Sequence, residues 1–466
     1  MNSTKGRRLC EQIRRFRGRF VQSVEGMLSD VVPATLLRQW IREEAGDHRE
    51  RVYGPLTTLT RFIEQVLSGD PSCRNAVAGE ASARVARGEA MCSLNSGPYC
   101  KARTRLPLGL LERLGREVGK RLCADEPAVW RWRDRAVKLV DGTTVSMPDS
   151  AANQESFPQN HEQKAGLGFP LARVVAIVSL SCGVVLEWAV GACEGKKTGE
   201  TALLWQLASR LSAGDVVLAD RCYAGYFMIA LLSGLGVDAV IRQHQCRSTD
   251  FRRGKRLGKR DHVVNWARPQ RPQWMDRATY ASMPESLALR EVRAGGWTLV
   301  STLLDADEVS KPALLELYRL RWQVELDLRS IKVVMQMDVL RCQSPEMVTK
   351  EIAAHLLAYN LVRAVMAQAA DLANVSPRQL SFKGALQVLN AFEPNLRHGS
   401  RRQICLRHKQ VLMGIAQLKL PYRPGRVEPR AIKRRPTQHK LLTQPRHILK
   451  ERLLKLQQRQ MAIFLR

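Results

Sequence analysis

Short apolar runs that stop on a carboxylate constrain this chain more than any other feature. Val137, Leu139 and Val140 precede Asp141, and the run from Asp215 through Val216, Val217, Leu218 and Ala219 ends on Asp220. Runs this short are too brief for a helix and read as buried strands. Between them lies the most apolar stretch of the chain, Val174 to Cys193, with a central Gly183, an internal Glu187 and much Val and Ile. Two buried strands joined by a turn suit that stretch better than a membrane span. Leu171 to Ala192 is therefore read as a β-hairpin. Helical spacing over Thr201 to Leu211 and Tyr226 to Leu235 completes the succession strand, hairpin, helix, strand, helix, which belongs to a layered α/β domain.

The flanks read differently. Residues up to about 130 show apolar positions at helical spacing, as in Ala34 to Glu44 and Leu108 to Leu122. Ser93 to Arg105 reads as a polar loop carrying Tyr99, Lys101, Arg103 and Arg105, suited either to a DNA backbone or to plain solvation. Residues from about 240 to 297 break the α/β rhythm with basic clusters and alternating stretches, and read as an inserted, largely β subdomain. A strand over Leu299 to Leu304 and one long helix from about Pro312 to Val334 are expected next. From about Pro394 the chain is strongly basic, with Arg401, Arg402, Arg430, Lys433, Arg434 and Arg435 and several prolines, a composition that suits ordering on a partner.

Charge narrows the function. The 466 residues contain 74 Lys and Arg against 44 Asp and Glu, a formal net charge of +30. That balance is foreign to most enzymes of small metabolites and points to a polyanion, because basic side chains on phosphates release condensed counterions. No two of the 11 cysteines form a C-x-x-C pair, so neither a zinc ribbon nor a redox motif is indicated, and reduced cytosolic thiols fit best. The first twenty residues are charged without an apolar core, unlike a secretory signal.

The chemistry concentrates in the segment from Tyr318 to Lys332. On an ideal helix Tyr318, Arg321, Glu325 and Lys332 share an arc of roughly 60°, while Leu317, Leu320, Val324, Leu328 and Ile331 occupy an adjacent arc of roughly 80°. Alone, this face is also what an ordinary amphipathic helix with an i,i+4 Arg–Glu pair presents. Asp141 and Asp220 at strand ends change the weighing, because sites in open α/β sheets gather there. Three carboxylates are suited to hold a pair of Mg²⁺ or Mn²⁺ ions, since hard oxygen ligands select these over zinc.

The spacing Tyr-x2-Arg-x3-Glu-x6-Lys at Tyr318, Arg321, Glu325 and Lys332 resembles the signature of the insertion-sequence-four family of bacterial DDE transposases. Val140-Asp141-Gly142-Thr143 resembles that family's first-aspartate segment, and Leu218-Ala219-Asp220-Arg221-Cys222-Tyr223 its second. The resemblance covers roughly residues 135 to 365. It implies an RNase H-like core with a β-rich insertion, a catalytic and metal-binding set of Asp141, Asp220 and Glu325, and phosphate contacts from Tyr318, Arg321 and Lys332. Trp322 and Trp297 would stack on an extruded base, or pack in the core. It further implies double-stranded DNA at paired element ends, a homodimeric synaptic complex, no membrane, and cut-and-paste transfer in the bacterial cytoplasm at the nucleoid. The expected organisation is a helical DNA-binding part at 1–130, a catalytic domain at 131–370 and a basic DNA-binding or dimerisation region at 371–466. Two readings compete: a non-catalytic DNA-binding protein or inactive remnant, and an RNase H-like nuclease that cuts without joining.

Overall fold

The computed structural model describes residues 27–28, 31–47, 51–396, 400–421 and 441–464. Its centre is a nine-stranded mixed sheet of order β3-β2-β1-β4-β5-β9-β8-β7-β6. β1 is Val137–Ser146, β2 Leu171–Ser179, β3 Val185–Ala192, β4 Val216–Ala219, β5 Asp238–Arg242, β6 Lys255–Gly258, β7 Asp261–Ala267, β8 Ser286–Ala294 and β9 Trp297–Ser301. β1, β4 and β5 run parallel, and the other pairings are antiparallel. Val174 to Cys193 lies in the β2–β3 hairpin, and among the described residues no helix is long and apolar enough to cross a membrane.

Thirteen helices matter here. They are α1 Ala34–Ala45, α2 Pro55–Leu67, α3 Cys73–Ala86, α4 Gly97–Arg105, α5 Leu108–Ala124, α6 Glu200–Leu207, α7 Tyr226–Gly234, α8 Lys311–Arg319, α9 Trp322–Arg329, α10 Pro345–Ala373, α11 Phe382–Leu396, α12 Arg401–Gln417 and α13 Arg446–Phe464. Strand side chains alternate between faces. Val137 and Leu139 of β1 and Val216 and Leu218 of β4 pack into one core with α1, α2, α5, α8, α9 and α10. Val140, Val217 and Ala219 pack into another with α6 and α7. The sheet is thus a filled layer between two helical layers.

The early helices share their core with α10 and with β3. Gly115 and Gly119 on α5 allow the approach: a Cβ at Gly115 would lie 2.7 Å from Trp188, and one at Gly119 2.8 Å from the Val185 carbonyl. The Asn360 amide completes the junction, donating to the Gly115 and Val185 carbonyls at 3.0 and 2.7 Å and accepting from the Val185 N–H at 2.8 Å. Every polar atom of this buried side chain is satisfied, which is what allows an amide in an apolar core.

Two local expectations are corrected and a third is refined. The segment Ser93 to Arg105 is largely helix α4 rather than a DNA-facing loop. Tyr99 is buried with its hydroxyl on Gln65 at 2.8 Å, and the Arg103 guanidinium lies over the Phe62 ring at 4.9 Å; of the four residues singled out, Lys101 and Arg105 are exposed. The amphipathic pairing of Tyr99 with Arg103 at i,i+4 outweighs the flanking turn residues. The stretch 240–297 is largely β as expected, and it joins the central sheet: β8 pairs β9, so β6, β7 and β8 extend it. Buried Arg290 locks that extension, gripping Asp261 through Nε at 2.8 Å and Nη2 at 2.6 Å and the Val309 carbonyl at 2.6 Å, just ahead of α8. The expected single helix from 312 to 334 is instead α8, a tight turn, α9 and a π turn at Ser330–Val334.

That turn has an explicit cause. Leu320, Arg321, Gln323 and Val324 each donate their N–H three residues back, to Leu317, Tyr318, Leu320 and Arg321. Such 3₁₀ winding advances roughly 120° per residue instead of roughly 100°. Leu317, Val324, Leu328 and Ile331 stay buried as expected, but Leu320 is carried out to 38% exposure. In the basic C-terminal region, Val411 and Ile415 of α12 are buried. Arg430, Lys433, Arg434 and Arg435 lie outside the described residues.

Fully buried Asp327 anchors α9. Its carboxylate takes both 2.7 Å contacts of the Arg378 Nη1, an ion pair from Arg363, and a Tyr359 hydroxyl 3.0 Å away. Arg378 in turn donates to the Leu180 and Ser179 carbonyls at 2.6 and 2.7 Å, tying α9 to the end of β2. Removing one member of a buried pair strands the other charge. Asp327→Ala is expected to destabilise the fold by about 3–5 kcal/mol, read as a lowered denaturant midpoint; an unchanged midpoint would contradict the anchoring role.

Candidate active site

β1 and β4 run side by side only through Val137↔Val216, Lys138↔Val217 and Leu139↔Leu218. Beyond that point β4 leaves into a 3₁₀ turn, Arg221–Tyr223, while β1 continues to Ser146 along β2. The expectation that a strand ends at Asp141 is thus corrected: the strand continues, and what ends is its pairing with β4. Asp141 and Asp220 each lie two residues past the last paired residues, on the parity of Leu139 and Leu218. They therefore turn toward the face covered by α8 and α9, at the carboxyl end of parallel strands, where α/β sheets place their sites.

α9 brings Glu325 to that face. Glu325 and Asp327 are two residues apart, roughly 200° around a helix, so one faces the opening while the other is sunk in the core. Arg321 stands between the acids, with Nη2 at 2.7 Å from Glu325 and Nη1 at 3.4 Å from Asp141. Tyr318 is buried, its hydroxyl 3.3 Å from the Ala219 carbonyl just before Asp220. Trp297 packs its ring 5.7 Å from the Tyr318 ring, partly buried against the core. Trp322 is instead 46% exposed on α9. Lys332 sits half-buried on the π turn, and its ammonium makes no hydrogen bond or ion pair among the described residues.

The structure draws Asp141, Arg321 and Glu325 into direct contact and sets Asp220 on the adjacent strand. Asp141, Asp220 and Glu325 do not draw their oxygens into one tight group. Among the described residues the group with ligand atoms all within 4.8 Å is Cys123, Glu126 and Cys182. Glu126 there is already held by Arg131 at 3.0 Å and by the Ser181 hydroxyl.

One carboxylate at the site escaped the sequence reading. Glu200, the first residue of α6, lies against Gly142: a Cβ at residue 142 would sit 2.5 Å from its Oε1. Its Oε2 takes long contacts from the Cys222 thiol at 3.5 Å and the Tyr223 hydroxyl at 3.4 Å. The one available signal was the Gly in Asp141-Gly142, a place where another chain segment comes close.

Burial pushes the Asp141 carboxyl up to about 6; the Gly142 N–H and Arg321 oppose the shift, while Glu200 and Glu325 add to it. Burial likewise pushes the Tyr318 phenol up to about 12, keeping it a neutral hydrogen-bond donor. The Cys222 thiol is raised by burial and by the nearby Glu200, Asp220 and Asp141 charges, so it is no nucleophile at neutral pH.

Comparison with known proteins bears on the same segment. A family model described as a transposase DDE domain matches residues 132–361. The transposase InsG of insertion sequence element IS4 from Escherichia coli K12 is 28% identical over 344 residues, 70% of this chain and 75% of that protein. A transposase for insertion sequence element IS421 of Escherichia coli is 36% identical over 80 residues, 17% of this chain and 22% of that protein. A solved piggyBac transposase chain from a synaptic complex with hairpin DNA aligns with a TM-score of 0.42 and 9% identity over 88% of each chain. The match spans Asp141, Asp220 and Glu325, and the chain belongs to the DDE transposases. Within them it is of the insertion-sequence-four family, and its function is that of a DNA transposase.

The raised Asp141 carboxyl has a measurable consequence. If Asp141 is a metal ligand it must be deprotonated to bind, so below about pH 6 apparent Mn²⁺ affinity should fall as Asp141 takes up a proton. Arg321→Ala removes a cation that lowers this carboxyl, so the midpoint should move to higher pH. Mn²⁺ titrations from pH 5 to 7.5 on both proteins check this; a flat profile would exclude Asp141 as a ligand.

Proposed function

We propose that Asp141, Asp220 and Glu325 hold divalent metal, Mg²⁺ or Mn²⁺, and that the chain cuts DNA at the ends of its element and joins the freed 3′-hydroxyl to a target. The observation that carries this reading is the Arg321 bridge between Asp141 and Glu325, with Asp220 two residues past the same strand register. The donor set fits the ions: side-chain oxygens, partly shielded from water and in carboxylate excess over one guanidinium. Bound ions of this kind lower the pKa of an attacking water or 3′-hydroxyl and stabilise the leaving oxygen.

The chain's own residues supply the rest. Arg321 offers a planar donor set that suits a phosphate as well as it suits the two acids it now touches. Lys332 holds its charge on the same segment for the DNA backbone, and Tyr318 contributes a neutral hydroxyl. Exposed Trp322 is positioned to stack on an extruded base, whereas Trp297 supports Tyr318 from behind. The strand order β3-β2-β1-β4-β5, with β4 and β5 parallel to β1, supports an RNase H-like core. Paired element ends call for a homodimer on double-stranded DNA. The Escherichia coli relatives support a bacterial setting, and the +30 charge supports sequence-independent DNA affinity and, through it, a place at the nucleoid. The first part (1–130), helical in its described residues, and the basic last part (371–466) are assigned to DNA binding and dimer contacts around the catalytic part (131–370).

Two measurements test the assignment. Incubated with element ends and Mg²⁺, the wild type should cleave and then join a free 3′-end to target DNA on a gel. Asp220→Ala should cut at least about 100-fold more slowly. Wild-type-like cleavage by that variant overturns the metal set, and metal-independent binding with no cleavage favours a non-catalytic DNA-binding protein. Cleavage without joining would leave a nuclease. In the second measurement, log affinity for DNA should fall steeply and linearly with log salt; a flat dependence argues against phosphate-driven binding.

A further inference from the structure

We propose that Glu200 is a fourth carboxylate of the site and holds the divalent metal together with Asp141 and Asp220. The proposal rests on the metal reading above and extends it to a residue from the opposite helical layer. α6 packs in the core on the far face of the sheet from α9, through Leu203, Leu204 and Leu207. Its first residue nevertheless reaches the site, because β4 has left β1 at this level and residue 142 has no side chain. With any Cβ at position 142, Glu200 Oε1, Cδ and Cγ would lie 2.5, 2.6 and 2.8 Å from it. Gly142 thus keeps open the space that the Glu200 carboxylate fills, directly beside Asp141.

That carboxylate is poorly matched to its protein surroundings. A thiol and a phenol at 3.5 and 3.4 Å are its side-chain donors, and among the described residues no cation pairs with it. Arg321 is taken by Asp141 and Glu325. Glu200 also gains something from its place at the positive end of α6, but the helix end is solvent-near and worth only a fraction of a like-charge encounter at close range. Cys222 marks the convergence, since its thiol feels the charges of Glu200, Asp220 and Asp141 together. Carboxylates brought together without a matching protein cation are what a divalent ion relieves.

Mn²⁺ binding measured by electron paramagnetic resonance, without DNA and without turnover, tests the assignment on the full-length protein. Glu200→Gln is expected to weaken Mn²⁺ binding about tenfold or more while leaving the metal-free melting temperature unchanged, and Glu200→Asp to recover part of the loss. Gly142→Ala, which displaces the carboxylate without removing it, should reproduce the weakening. A purely structural role at the start of α6 predicts the reverse, a lower metal-free melting temperature with Mn²⁺ affinity intact, and that result overturns the proposal. Asp141→Asn separates this from the parent reading. If it abolishes binding while Glu200→Gln binds like wild type, Glu200 is not a ligand and the parent reading stands. If the wild type binds no Mn²⁺ at all, both fall together.

Discussion

The parting of β1 from β4 after Leu139 and Leu218 is the constraint on which the rest depends. While two parallel strands stay paired, their backbones fill the space between them and side chains leave only to the faces. When β4 turns aside at Asp220, β1 keeps its other partner, β2, and remains straight to Ser146. A gap opens beside β1, which β2 alone holds there until Ser146 bridges to Val339. Asp141 lies on that gap, Asp220 at its rim, and Glu200 reaches it from behind through the space at Gly142. The rigidity of β1 matters as much as the gap, because a carboxylate meant to hold an ion needs a fixed backbone.

The helix that closes the gap is positioned by charge as well as by packing. Asp327 is gripped by Arg363 and Arg378 in the core, and Arg378 passes that grip to the carbonyls at the end of β2. A buried ion cluster of this kind is a doubtful source of net stability, yet it is specific in direction. It allows α9 one rotation about its axis, and that rotation presents Glu325 to the opening. The 3₁₀ turn at Leu320 and Arg321 and the π turn at Ser330–Val334 bracket the same short helix. Departures from α geometry on both sides let Arg321 and Lys332 be aimed separately from Glu325, where an unbroken helix would have fixed all three to one wheel.

Arg321 ties these parts together. Its single guanidinium bridges Asp141 and Glu325 and offsets part of their charge, and its donors are those that a phosphate would take. The site therefore carries its own counter-charge, and the basic balance of the chain at large is free to serve the DNA backbone.

The elements themselves were legible in the sequence: the β2–β3 hairpin, the strand before Asp220, the early helices, and the motif Tyr318, Arg321, Glu325 and Lys332 all follow from local patterning, because strand and helix periods are written in neighbouring residues. Local patterning also placed Asp220 at the end of a strand, whereas Asp141 lies inside β1, which continues to Ser146. It misread residues whose surroundings come from far along the chain. Tyr99 and Arg103 looked like a surface loop because their partners, Phe62 and Gln65, belong to another helix. Leu320 looked buried because a helical wheel assumes one winding. Glu200, just ahead of the helix expected from Thr201, carried no signal of its own, since neither the departure of β4 nor the bare backbone at Gly142 is visible from position 200. Sequence determines which residues share an element; only the tertiary structure decides which elements meet, because the free energy of meeting is set by burial and charge between segments that no local period connects.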